Sequence, residues 1–198
     1  MQKHNFDPEE LSEQEAQARR LHSVKRIAEA VSILRVVLAV RLEVQGEMHF
    51  QTINSRSGLA RSLRAIYEYE ECFVLYSENI RIHTEKLGPE HPQTLRSLSR
   101  LANTYFAAGQ YGKAKLMFVD ILGLRVKVLG CDHPDTLRSR SSLANSLFQL
   151  GLFSESAEMH EEIIKDRVRV MGANHPRTEL SRIRLEAALQ AAESAYSK

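Results

Sequence analysis

Four histidines recur along the 198-residue chain at an interval of 42 residues: His49, His91, His133 and His175. Imidazole nitrogens can ligate zinc or act as a general base, so this regular set is the first candidate for chemistry. A zinc site needs its ligands around one ion, whereas stacked helix pairs place equivalent positions in a row, about 10 Å or more apart. Pro follows three of the four histidines, which is typical of a helix start. We therefore predict that these histidines cap helices and that the chain uses no metal and no cofactor.

Other catalytic arrangements are missing from the sequence. It contains no Gly-x-Ser-x-Gly, no His-Glu-x-x-His and no Gly-rich phosphate loop. Cys72 stands where the next repeat has the small residue Ala114, so we expect it to be packed and unreactive. Lys and Arg number 27 against 25 Asp and Glu, and the resulting net charge of +2 does not indicate nucleic-acid binding. We expect a protein that is not an enzyme and binds no nucleic acid.

The 42-residue interval extends well beyond the histidines. Residues 87–95 recur in closely similar form at 129–137 and 171–178, and a weaker copy lies at 46–53. Within a repeat, apolar residues at helical spacing form a helix A that includes Leu101 or its equivalent Leu143. Gly109 then breaks the chain, and a helix B begins at Tyr111. The sequence therefore predicts two helices in each repeat and no strands.

The helix pair has a recognisable pattern. Leu98-x2-Leu101-Ala102-x2-Tyr105, followed by Ala114-x3-Phe118, resembles the tetratricopeptide repeat, although the usual unit has 34 residues. The 42-residue length and the loop Leu-Gly-x-x-His-Pro-x-Thr-Leu resemble the repeats of kinesin light chains and of related signalling proteins. The resemblance implies an all-α, tetratricopeptide-type α-solenoid, a right-handed superhelix of stacked antiparallel helix pairs.

The repeat also predicts the domain organisation. We expect a disordered tail at residues 1–6 and a single repeat domain over 7–198. In that domain, residues 7–48 form a degenerate capping repeat, 49–90, 91–132 and 133–174 form full repeats, and 175–198 form a capping helix or the start of a further repeat. Tyr67 replaces the turn glycine of the later repeats, so the geometry of that turn is left open.

Membrane insertion is not expected. The most apolar stretch, residues 31–44, is shorter than the roughly 20 residues that a bilayer span needs, and the N-terminus lacks the apolar region of a signal peptide. The two cysteines have neither metal-type spacing nor the number for a disulfide framework, which indicates a reducing compartment. We expect a cytoplasmic protein.

The face of helix A that lies opposite the apolar stripe is the candidate binding surface. In repeats of this type the A helices line the inner, concave wall. The resemblance implies that Asn103 and Asn145 bind the backbone or a carboxylate of a peptide, as helix-A asparagines do in tetratricopeptide grooves, with Arg61 at the equivalent position one repeat earlier. The predicted groove residues are Asn54, Arg61, Arg64, Arg96, Ser99, Arg100, Asn103, Phe106, Arg138, Ser141, Asn145 and Phe148.

Two functions fit these features. The first is a protein-binding module that captures an extended, acidic peptide, because arginines recur on the predicted groove. The second is a structural or regulatory array that serves as the sensor or self-association arm of a larger signalling assembly. Apolar residues on the C-terminal helix, among them Leu180, Ile183 and Leu189, favour the second function through self-association.

Overall fold

The computed structural model describes residues 7–196 of the chain. These residues form nine α-helices and no β-strand, which confirms the all-α prediction. The predicted tail at residues 1–6 lies outside the described residues. In chain order the helices are α1 (Pro8–Ser23), α2 (Ile27–Gln45), α3 (Phe50–Ala65), α4 (Tyr69–Leu87), α5 (Pro92–Ala107), α6 (Tyr111–Leu129), α7 (Pro134–Gln149), α8 (Phe153–Met171) and α9 (Pro176–Tyr196).

The first eight of these helices form pairs of constant length. Helix A has 16 residues in α1, α3, α5 and α7, and helix B has 19 residues in α2, α4, α6 and α8. Each helix A packs against the helix B that follows it. The ninth helix, α9, has 21 residues and packs against α8. The 42-residue period of the sequence is therefore a period of paired helices.

The chain divides into two compact units between residues 89 and 90. The first contains α1 to α4, and its core includes Leu11, Val37 and Val40. The second contains α5 to α9 and is built around a larger cluster, Ala102, Ala114, Phe118, Ile121, Leu143 and Leu147. The boundaries predicted for individual repeats, the single domain over 7–198 and the right-handed superhelix stay predictions.

The predicted apolar stripe of α5 is largely buried. Leu95, Leu101 and Ala102 are buried, while Leu98 and Tyr105 are only partly buried against the cluster. The apolar stretch of the first unit is core on one side only, because Val37 of α2 is fully buried whereas Val36, Leu42 and Val44 are exposed. Over residues 7–196, no helix combines the length and the apolar character that crossing a bilayer requires.

The four periodic histidines are helix caps, as predicted. Nδ1 of His49, His91, His133 and His175 accepts a hydrogen bond from the backbone N–H two residues later, at 3.3, 3.2, 3.1 and 3.1 Å. Asp7 caps α1 in the same way, through a 2.9 Å bond from the Glu9 N–H. A side-chain acceptor at this position satisfies one of the N–H groups that a helix start leaves unpaired. The imidazoles therefore fix where each helix A begins.

The loop before each capping histidine depends on glycine. Gly46, Gly88, Gly130 and Gly172 have φ between 81° and 93° and ψ between 158° and 166°. With this positive φ, the ψ belongs to an extended region that only glycine adopts readily, and not to the left-handed helical region. These glycines end helix B and redirect the chain towards the next helix A.

Tyr67 adopts the turn conformation of the glycines that it replaces. Its φ is 66°, against 74° at Gly109 and 78° at Gly151, and Lys25 of the first repeat has φ 63°. A side chain in this region costs about 1–2 kcal/mol because Cβ approaches the following carbonyl oxygen. The turn is therefore conserved in geometry among the four repeats, and two of them carry backbone strain.

We predict that Tyr67→Gly raises the free energy of unfolding by about 1 kcal/mol, because it removes that strain. Tyr67→Ala is the control, since it deletes the same exposed ring but keeps a Cβ at positive φ. Chemical denaturation of both variants measures the difference. A Gly variant no more stable than the Ala variant would show that the turn is unstrained.

We also predict that Leu143→Ala lowers the free energy of unfolding by about 2–5 kcal/mol, because this leucine is 7% exposed and lies in the main cluster. Leu150→Ala is the matched control, since Leu150 is 40% exposed. The control should change stability by about 0.5 kcal/mol or less. Equal effects of the two substitutions would contradict the assigned core.

Candidate functional site

The second unit contains a cavity of about 290 Å³ where four helices meet. Phe106 comes from the end of α5, three residues come from the end of α7, two come from α8 and two from α9. The lining residues are Phe106, Asn145, Phe148, Gln149, Ser156, His160, Arg184 and Ala187. None of the described residues that line it is acidic.

Two phenylalanines give the cavity a fixed apolar wall. The ring of Phe106 meets the ring of Tyr111 at a centroid distance of 5.2 Å and an angle of 64°. Phe148 meets Phe153 in the same way, at 5.2 Å and 65°. Each pair joins the end of a helix A to the first residue of its helix B, and such edge-to-face contacts stabilise aromatic pairs. Both rings are therefore held in place by their own repeat.

Arg184 and Asn145 offer hydrogen-bonding groups that the fold does not use. Both side chains are partly buried, and neither makes a hydrogen bond or an ion pair to any other residue in 7–196. Burial lowers the pKa of the Arg184 guanidinium. By contrast, the Asn103 amide donates to the Ser99 carbonyl oxygen at 2.6 Å. The unpaired guanidinium and amide are suited to a carboxylate or a peptide group.

His160 is the other polar group of the cavity, and it is almost fully buried. Its Nδ1 has no hydrogen-bond partner among the described residues. Burial and, to a smaller extent, the positive charges of Arg184 and Arg167 together lower its pKa to about 4. The imidazole is therefore neutral at pH 7, and it can accept or donate one hydrogen bond without adding charge.

Arg167 contributes a buried positive charge behind the cavity. It donates to the Arg177 carbonyl oxygen at 2.7 Å, to Ser181 Oγ at 2.5 Å and to Ser141 Oγ at 2.7 Å. Burial and, to a smaller extent, the charges of Arg177 and Arg184 together lower its pKa to about 10. No carboxylate of residues 7–196 pairs with either Arg167 or Arg184, so these two positive charges are uncompensated within the described chain.

The structure brings three of the predicted groove residues together, namely Phe106, Asn145 and Phe148. Ser141 departs from the prediction: it is buried and accepts the hydrogen bond from Arg167, so it is a structural residue and not an open surface contact. Ser99 donates to the Leu95 carbonyl oxygen at 2.8 Å within α5. Arg138 pairs with Asp135 at 3.1 Å on the exposed side of α7.

The remaining predicted residues lie outside the cavity. In the second unit Arg96 is exposed, while Arg100 and Asn103 are partly buried. In the first unit Asn54 and Arg61 are exposed and Arg64 is partly buried. The predictions for these residues stay predictions.

Sequence reasoning missed His160 and Arg184, although the repeat contains a signal for one of them. The positions 42 and 84 residues before His160 are Phe118 and Tyr76, which are both buried aromatic residues. An imidazole where the two earlier repeats have a core aromatic side chain indicates that the surroundings of this position differ from those in the earlier repeats. Arg184 has no comparable signal, because an arginine, Arg100, already occupies the equivalent position two repeats earlier.

The other chemistry considered from the sequence has a structural explanation. Cys72 is fully buried and its Sγ lies 3.1 Å from the Ala60 carbonyl oxygen. Burial raises the pKa of this thiol to about 11, so it is protonated at neutral pH. No three metal-ligating side chains come together anywhere in residues 7–196.

The sequence matches known families and structures. Family models described as tetratricopeptide repeat match residues 63–125 and 136–177, together more than half of the chain. No curated protein is similar enough to the sequence to count as a match. The structure resembles a kinesin light chain-like protein of Podosopora anserina with nearly identical tetratricopeptide-like repeats, at a TM-score of 0.83 and 28% identity, covering 98% of this chain and 92% of that chain.

A second solved structure shows the same fold at lower identity. BtubC (BKLC) from P. vanneervenii has a TM-score of 0.73 and 16% identity, and the match covers 88% of this chain and 70% of that chain. Folds of this kind are typically non-enzymatic scaffolds. The family matches and the 42-residue helix pairs together show that the chain belongs to the tetratricopeptide repeat proteins of the kinesin light chain-like kind, and its repeats make it a protein–protein interaction module.

Proposed function

We propose that the chain binds an extended, acidic segment of a partner protein and that the cavity of the second unit receives one of its carboxylates. The observation that carries the proposal is the unpaired guanidinium of Arg184 beside the unpaired amide of Asn145 and the two fixed rings, Phe106 and Phe148. A carboxylate satisfies the guanidinium, and the methylene groups of an acidic side chain fit the aromatic wall.

The electrostatics of the cavity support an anionic ligand. The buried charge of Arg167 and the partly buried charge of Arg184 have no carboxylate partner among the described residues, so an incoming carboxylate meets no competing anion. A hydrogen bond to a charged group contributes about 1.5–3 kcal/mol when it is shielded from water. Two or three such contacts, less the cost of ordering the peptide, predict a Kd on the order of micromolar.

Binding without catalysis is part of the proposal. The buried Cys72 thiol is protonated, and the four periodic imidazoles already use Nδ1 as helix caps. The proposal places the protein in the cytoplasm, because Cys131 is an exposed, unpaired thiol and such thiols stay reduced in a reducing compartment.

A fluorescence-polarisation screen with matched acidic, neutral and basic peptide pools tests the ligand class. We predict that the acidic pool binds best and that its binding weakens as salt rises, because exposed charges are screened over about 8–10 Å at physiological ionic strength. Arg184→Gln and Asn145→Ala should each weaken binding, by about tenfold for the arginine, which corresponds to about 1.4 kcal/mol.

Arg138→Gln is the matched control for this screen, since it removes an arginine of the same face that is exposed and already paired with Asp135. It should leave binding within about twofold of wild type, because exposed pairs contribute little. Equal binding of the three pools, or normal binding by Arg184→Gln with an unchanged melting temperature, would contradict the proposed site.

A second candidate function is a structural or regulatory array that self-associates through α9. The observation in its favour is that Leu180, Ile183 and Leu189 of this helix are 43%, 55% and 45% exposed. Large exposed apolar side chains grouped on one element often mark an interaction site.

We predict for this candidate that the wild-type chain elutes as a dimer in size-exclusion chromatography with light scattering and that Ile183→Lys shifts it to a monomer. A lysine at this position places a charge in the proposed contact. A wild-type dimer that Ile183→Lys leaves intact would exclude α9 as the contact.

A further inference from the structure

Helix α6 carries an exposed apolar stripe that the fold of the second unit does not use. Leu116, Val119 and Val126 are 65%, 49% and 36% exposed. Gly112 and Gly123 are also exposed and lie on the same side of the helix. Together these five residues, which we call the α6 stripe, are spaced at 4, 3, 4 and 3 residues. This spacing is that of a seam between two packed helices.

No packing contact within residues 7–196 requires a glycine at either glycine position of the α6 stripe. A Cβ built on Gly112 or Gly123 meets no atom within 4 Å, and both residues have ordinary helical backbone. Glycine inside a helix is unfavourable relative to alanine, so these positions weaken α6 without relieving any internal crowding. Glycine at a helix surface does allow another backbone to approach closely.

The neighbouring repeats show that the helix pair does not require this pattern. The equivalents of the two glycines are Glu70 and Arg81 on α4, and Ser154 and Lys165 on α8. The equivalents of the three apolar residues are Val74, Ser77 and Thr84 on α4, and Glu158, Glu161 and Val168 on α8. Eight of these ten equivalents are charged or hydroxyl side chains and two are valines, whereas α6 has a glycine or an apolar residue at all five positions.

We propose that the α6 stripe packs against the α6 stripe of a second copy of this chain, with the two helices antiparallel. In the register set by the stripe, Leu116 lies opposite Val119 of the second copy, and Gly112 lies opposite Gly123 of the second copy. Each glycine then removes a side chain where the two backbones come closest. The arrangement has twofold symmetry, so every contact occurs twice.

The charges beside the stripe agree with this register. Lys113 and Asp120 both lie on one flank of the α6 stripe, seven residues apart. The antiparallel register places Lys113 next to Asp120 of the second copy twice, once at each end of this flank. Asp120 has no ion pair or hydrogen bond to any residue in 7–196, and Lys113 has only a cation–π contact to Tyr105, at 5.4 Å. A second copy therefore supplies the partner that Asp120 lacks.

The size of the contact sets its strength. One pair of helices buries less than the roughly 1,200 Å² of stable interfaces, so the dimer is weak, with a Kd on the order of tens to hundreds of micromolar. The α6 stripe is distinct from both the cavity and α9, so its contact with a second copy does not depend on the binding of an acidic peptide.

Sedimentation equilibrium of the full chain from about 10 μM to 1 mM tests the dimer in this range. We expect a concentration-dependent dimer for the wild type and a monomer throughout for Leu116→Glu. Val170→Glu is the matched control, because Val170 is a 41% exposed valine on α8 and lies off the stripe, and it should dimerise like wild type. A wild-type monomer at 1 mM, or a dimer that survives Leu116→Glu, overturns the proposal, and loss of that dimer in Ile183→Lys would assign the contact to α9.

Charge reversal tests the register. Lys113→Asp and Asp120→Lys should each weaken dimerisation several-fold, because each places like charges together twice. The double variant restores opposite charges across the contact and should return the Kd to within about twofold of wild type. A double variant as weak as the single variants would exclude the antiparallel register.

Gly123→Ala separates the role of the glycines in folding from their role in association. The substitution should raise the melting temperature by about 2–4 °C, because alanine favours the helix. It should also weaken the dimer at least fivefold, because the added methyl group holds the two backbones apart. A stabilised variant that dimerises as well as wild type would show that no close helix contact forms at this position.

Discussion

The fold depends on a buried guanidinium near the end of helix B that donates hydrogen bonds to the first turns of the next helix A. In the second unit Arg125 donates to the Asp135 carbonyl oxygen at 3.0 Å and to Ser139 Oγ at 2.6 Å, and Arg167 makes the equivalent bonds one repeat later. Burying a cation without a carboxylate is costly, so these bonds must be satisfied in the native state and admit few other arrangements of the two helices. Arg41 of the first unit is buried likewise, but there Glu15 supplies a carboxylate at 3.2 Å.

The buried arginine of the last repeat also determines the charge of the cavity. Arg167 fixes α9 against α8 and holds Ser141 of α7, and in doing so it places an uncompensated charge behind His160 and Arg184. The apolar wall has an independent origin, since each phenylalanine is held by the aromatic residue that begins its own helix B. The cavity thus combines an aromatic wall, which each repeat forms by itself, with a positive charge that hydrogen bonds between consecutive helices hold in place.

Local signals explain why most of the fold could be predicted from the sequence. The start of α6 at Tyr111 agrees with the prediction to the residue, because a turn glycine and the apolar pattern act within a few positions. The residues of the candidate site were harder to predict from the sequence than the helices. A serine such as Ser141 looks the same in the sequence whether it faces solvent or a buried arginine, and the unpaired state of Arg184 depends on which carboxylates the other helices bring near. The buried arginine near the end of helix B recurs as Arg41, Arg125 and Arg167, and His83 occupies the equivalent position in the remaining repeat. The residue type alone does not distinguish a buried arginine from an exposed one.

The hydrogen bonds of these arginines determine at which loops the chain can be divided into units that could be exchanged between repeat proteins. The glycine loop before each capping histidine looks like a natural joint, because it lies between one helix pair and the next. A junction at Gly130 would, however, separate Arg125 from Ser139 and from the Asp135 carbonyl oxygen. A junction near Gly109 keeps Arg125 with both of these partners, and one near Gly151 keeps Arg167 with the Arg177 carbonyl oxygen and Ser181, although it separates Arg167 from Ser141. The unit that keeps the bonds from a helix B to the start of the next helix A is therefore that pair of helices, and it is offset by half a repeat from the unit seen in the sequence.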